Sequence, residues 1–211
     1  MFNMTNLLLL LPGAFFAPVI HEFVKARVSA ALGDRTPKHN GFQTLNPFKY
    51  FEPIGFFLML FFGVGWGRPV TTSAFYYKNK KQGVILTYAT PMIVNLLIGM
   101  AAVFVASVVH TPSPAMGFGL TTPPVWVTIL HQFGRLNIQL AVFNLFPVAP
   151  LAMNKILQVF VSPSAAMWLN NYEKPMQIVL FLLMIFGIVG LLVWTISSIF
   201  IVAASLPTVL L

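Results

Sequence analysis

Apolar residues run along this chain in stretches too long and too continuous for the core of a soluble domain. A bilayer core of about 30 Å takes roughly 20 apolar residues to cross as a helix. Four stretches meet that length: 4–32, 84–109, 124–148 and 176–204. A fifth, 54–66, is only about half of a comfortable span. It holds Gly55, Gly63 and Gly65 and lies between Pro53 and Pro69. Backbone that departs from helix is tolerated at membrane depth only when packed against protein. This stretch therefore reads as a re-entrant segment or membrane hairpin. The pattern predicts an all-α integral membrane protein of about four transmembrane helices plus the element at 54–66. The whole chain, 1–211, reads as a single polytopic domain.

Composition supports this. The chain is 58% hydrophobic and only 8% charged, against about 25% charged residues in soluble domains. It has no cysteine, which excludes disulfides and thiol chemistry. The N-terminal stretch lacks a basic lead and a small-residue cleavage site, so a cleaved signal peptide is not expected. No internal repeat or low-complexity segment is evident. The net charge of +8 does not point to nucleic acid, because the basic residues sit in short loops beside apolar runs. If 54–66 returns without crossing, then Lys25, Arg27, Arg35, Lys38, Lys49, Arg68, Lys78, Lys80, Lys81, Lys155 and Lys174 all fall at one membrane face. The other face receives both termini and the proline-rich connection around 111–123, with no Lys or Arg. The positive-inside rule makes the basic face cytoplasmic, and a bacterial inner membrane is the expected location.

Few polar groups lie within the spans. His21, Glu22 and Lys25 cluster on the first, Asn95 lies on the second, and His131, Arg135, Asn137 and Asn144 lie on the third. Ionisable groups at such depth are costly and usually face a bundle interior. The run His21-Glu22-Phe23-Val24-Lys25 reads as H-E-x-x-H with its second histidine replaced. In the intact pattern two histidines one turn apart bind zinc, and the glutamate polarises the attacking water. A protonated lysine has no lone pair to give a metal. Glu22 and Lys25 are neighbours on a helix, so Lys25 either pairs with Glu22 at or beside the metal position or reaches out to the headgroups.

Further segments extend the likeness: Leu32-Gly33-Asp34, Leu45-Asn46-Pro47, Pro53-Ile54-Gly55, Gly65-Trp66-Gly67-Arg68-Pro69-Val70, Ala89-Thr90-Pro91-Met92-Ile93-Val94-Asn95 and Phe143-Asn144-Leu145-Phe146-Pro147-Val148-Ala149-Pro150-Leu151. In this order they resemble the motifs of the site-2 protease family of intramembrane zinc metalloproteases, in its short bacterial form. The family-like core covers about 21–157, with a C-terminal helix at 176–204 beyond it. The resemblance implies zinc held by two histidines and an aspartate, with a glutamate as general base. Here the ligand positions are His21, Lys25 and Ala152, and Glu22 is the retained base. One ligand of three survives, a pattern that resembles a pseudoprotease with no catalytic residue, no metal and no cofactor. Removing zinc alone would leave two carboxylates facing each other in a medium of low dielectric, and the lysine and alanine relieve that.

Asn95, Asn144, Pro147 and Pro150 match positions of the family's substrate cleft. The two asparagines read equally as glue between helices. His131 and Arg135, one turn apart, read as a buried polar pair, and His39 as a solvated loop residue. The expected function is binding, as an accessory or assembly subunit that holds transmembrane segments of other membrane proteins in a multi-subunit complex. Two alternatives stand beside it. One is an active zinc protease with rearranged ligands drawn from His21, His131, His39 and Glu22. The other is a proton or transport path through Glu22, Lys25, His131 and Arg135.

Overall fold

A computed structural model describes residues 4–110 and 123–209; residues 111–122, which carry most of the proline-rich connection, lie outside the described residues. Among the described residues the regular structure is entirely helical. The helices are α1 (Met4–Ala31), α2 (Thr36–His39), α3 (Pro53–Phe62), α4 (Lys80–His110), α5 (Val125–Phe143), α6 (Ala152–Leu157), α7 (Pro163–Asn171), α8 (Glu173–Ile185) and α9 (Ile188–Val209).

Three of these are long and apolar enough to cross a bilayer: α1, α4 and the Ile188–Leu206 portion of α9. Their outward faces carry exposed aliphatic side chains such as Ile93, Leu97, Leu191 and Ile199, a surface suited to lipid. The protein is an all-α integral membrane protein. Helix α5 is shorter, at 19 residues, and more polar. It packs along α1, α4 and α9, and nearly all of its second half is buried. Helices α4 and α5 touch backbone to backbone at mid-length. A Cβ on Gly99 would lie 2.7 Å from the Gly134 carbonyl oxygen, and one on Gly134 equally close to that of Gly99. Small residues at a crossing give this close packing where lipid supplies no hydrophobic drive between helices. Pro12 and Pro18 in α1 and Pro91 in α4 are accommodated within these helices, as neighbouring helices allow in membranes.

The 54–66 element is a helix with a return. Pro53 opens α3 at a first-turn position, and the Glu52 carboxylate accepts the Gly55 N–H, a standard helix start. Ten residues rise about 15 Å, half of a bilayer core. The helix stops at Gly63, which is left-handed at φ 72°. The chain then runs back without regular structure until Arg68 donates its N–H to the Tyr50 carbonyl oxygen at 2.8 Å. The segment therefore leaves on the side where it entered. The end of α1 and the start of α4 stand together, where Ser29 and Thr87 both meet the Tyr77 hydroxyl.

The last apolar stretch differs from its expectation as one helix over 176–204. Helicity begins at Glu173, and the stretch divides into α8 and α9 at Gly187. Gly187 has φ 75°, and its N–H donates to the Met184 carbonyl oxygen at 2.9 Å, closing α8 with a left-handed glycine. Its uniform hydropathy masked the break. The third stretch, 124–148, also ends early as helix, because the chain turns after Phe143 to bring Ala152 beside Asn144.

Candidate functional site

His21, Glu22 and Lys25 occupy the second half of α1 and are all buried. The Lys25 ammonium lies 3.2 Å from Glu22 Oε2 and 5.1 Å from the centre of the Tyr88 ring on α4. Lys25 thus turns inward and pairs with Glu22; of the two arrangements open from the sequence, it does not reach for the headgroups. The same Glu22 oxygen accepts the backbone N–H of Val70 at 2.7 Å. The return after α3 therefore clamps the carboxylate from one side while the lysine holds it from another. The ring of His21 borders Asn95, and its Nδ1 is buried without a hydrogen-bond partner.

A cleft of about 630 Å³ opens at these residues. Its far wall includes Asn144, Pro150 and Leu151, and a flank of α8 from Lys174 to Leu182 covers it. The sequence did not anticipate α8 here, since nothing in its apolar run marks it as a cleft wall. Of the four expected cleft residues, Asn144 and Pro150 line it. Asn95 and Pro147 do not. Asn95 is fully buried and donates to the Ala17 carbonyl oxygen at 3.0 Å and to Asn137 Oδ1 at 2.9 Å, tying α4 to α1 and α5. Pro147 is exposed on the turn after α5. Asn144 spends its amide locally: it donates to the Leu140 carbonyl oxygen and accepts the Ala152 N–H at 3.2 Å. That bond fixes Ala152, buried at the start of α6, next to the cleft wall.

The remaining candidates lie elsewhere. His131 lines a separate cavity with His110 and Thr128, Arg135 lines another with Gln139, and His39 is exposed on α2. A polar cluster beside the cleft had only Asp34 as its signal in the sequence. Ser29 Oγ donates to Asp34 Oδ2 at 2.8 Å and meets the Tyr77 hydroxyl at 2.8 Å, and Thr87 reaches the same hydroxyl at 3.0 Å. The N–H groups of Thr36 and Ser73 also donate to Asp34. Burial alone would raise the Asp34 carboxyl, but the hydrogen bonds from Thr36, Ser73 and Ser29 outweigh it and hold the group below its usual range.

The chain is similar to a known protein over most of its length. It is 31% identical over 180 residues to the protein named "Putative zinc metalloprotease YwhC" of Bacillus subtilis (strain 168), covering 83% of this chain and 79% of that protein. No family model matches the chain, and no solved structure gives a significant match. The chain belongs to a membrane metalloprotease family.

Against that family, the donor set at His21 can be tested directly. Catalytic zinc takes three protein ligands and an open position. Here the turn after His21 presents an ammonium, and one Glu22 oxygen is already shared between that ammonium and a backbone N–H. Ala152, buried next to the opposite wall, has no donor atom in its side chain. Among the described residues no three His, Cys, Asp or Glu side chains converge on one point. The residues present do not fit a zinc ion. What they build instead is a neutral, hydrogen-bonded pair at the base of an apolar cleft.

Proposed function

We propose that this member of the family is a catalytically inactive, site-2-protease-like protein that works by binding. In this reading it is an accessory or assembly subunit that holds transmembrane segments of other proteins within a multi-subunit complex. It resides in a bacterial inner membrane with its basic loops cytoplasmic. The observation that carries the reading is the buried Glu22–Lys25 pair. A general base that is neutralised by an ammonium and stands beside a single histidine has no metal-bound water to deprotonate. An active enzyme with rearranged ligands would need a second donor at His21, whereas His131 lines a different cavity and His39 is exposed. A proton path would need Arg135 and His131 to continue from Glu22, and they line separate cavities.

Elemental analysis of the purified protein tests this. The expected result is less than about 0.1 zinc per chain, rising to about one in the double variant Lys25→His/Ala152→Asp, which restores a three-ligand set. About one tightly held zinc in the unaltered protein, with cleavage of a membrane substrate that a chelator stops, would overturn the proposal.

A further inference from the structure

Helix α5 carries a cation without a counterion. Arg135 is the one charged residue of α5 and sits ten residues from its first residue, about 15 Å along the axis, near the middle of the bundle. It makes no ion pair or hydrogen bond among the described residues, and its Nε is buried without a partner. One turn on, Gln139 is only 5% exposed, and its Oε1 is also buried and unpartnered. Both side chains line a cavity of about 340 Å³ bounded by α1, α3, α5 and α9, with Leu10, Gly63, Gly190 and Trp194 on its walls. Arg135 lies about 15 Å from the start of α5 and about 12 Å from its end, farther than its side chain can snorkel to either end of the helix.

No side chain of this protein can supply the missing charge. It has four carboxylate side chains, and each has its partner elsewhere. Glu22 binds Lys25 and the Val70 N–H. Asp34 takes Ser29, Thr36 and Ser73. Glu52 caps α3, and Glu173 pairs with Lys155. A second copy would bring another unpaired arginine and no free acid. A lipid headgroup lies half a bilayer away. A carboxylate in the middle of another helix is the anion whose depth matches.

We propose that the Arg135 pocket seats a transmembrane helix of a partner protein, and that this helix carries one aspartate or glutamate near its midpoint. The proposal rests on the reading of the chain as a binding subunit. Its test leaves the His21 cleft untouched, so zinc content and helix capture can fail independently.

The test uses the full chain, labelled at Ile199→Cys on the outward face of α9, since the protein has no cysteine of its own. It is reconstituted in phosphatidylcholine nanodiscs with a labelled synthetic Leu/Ala helix of roughly 21 residues bearing a central Glu or Gln. Energy transfer should report association at least about tenfold stronger for the Glu peptide than for the Gln peptide. The preference should vanish in Arg135→Gln and persist in part in Arg135→Lys. Equal association of the two peptides with the unaltered protein overturns the proposal without reference to any variant. So does a preference that survives Arg135→Gln, or one that phosphatidylglycerol in the bilayer abolishes, which would assign the arginine to lipid.

Discussion

At the scale of single residues, the pair formed by Glu22 and Lys25 governs the chemistry of the cleft. Truncating one partner leaves the other charged and buried, which costs about 3–5 kcal/mol. Replacing both by neutral groups of similar size removes the desolvation along with the attraction. Lys25→Met should therefore destabilise the protein strongly, while Glu22→Gln/Lys25→Met should lose much less, because a glutamine oxygen still accepts the Val70 N–H. Unfolding of both variants in mild detergent checks this; equal losses would show that the pair acts through packing alone. Asp34 gives a second handle. Its folded carboxyl is held below its ordinary value, so its contribution to stability is complete above that ordinary value, near 3.8. The contribution fades as pH falls through the lower folded value. The stability gap between the protein and Asp34→Asn should thus narrow below about pH 4. Whether Lys25 paired or snorkelled could not be read from the residue types, since the helix spacing permits both; the approach of Tyr88 and Val70 from other elements decides it.

At the scale of elements, the α3 hairpin depends on two glycines that face each other. A Cβ on Gly55 would lie 2.0 Å from the Trp66 carbonyl oxygen, and one on Gly65 would lie 2.1 Å from that of Gly55. Both obstacles are backbone, so neither yields by a rotamer change. Gly55→Ala should cost about 3 kcal/mol or more and release the Val70 clamp on Glu22. Gly187→Ala makes the contrast. That residue is left-handed, but nothing lies within 4 Å of an added Cβ, so only the backbone term of about 1–2 kcal/mol applies. Thermal unfolding of the two variants measures the difference. Proline and glycine punctuation made 54–66 recognisable as a non-crossing element, because half-length and breakers are local properties. Division of the last stretch at Gly187 was not recognisable, because one glycine in an apolar run does not show whether the backbone turns there.

At the scale of the whole molecule, the bilayer rules did most of the work that sequence can do. Hydrocarbon admits only closed hydrogen bonding, so long apolar runs must be helices, and the chain's own pattern establishes an all-α membrane protein with a returning hairpin at 54–66. The same pattern showed that Lys25 and Ala152 offer a metal no donor atom, since donor chemistry belongs to residue type. Tertiary structure alone decided where the polar groups meet. It removed Asn95 and Pro147 from the cleft, sent His131 and Arg135 to cavities of their own, and brought α8 to the cleft that holds the Glu22–Lys25 pair. Residue type and spacing act along the chain, whereas burial, pairing and cavity walls come from helices that are distant in sequence. The counterion that Arg135 lacks becomes visible only after every carboxylate has been placed.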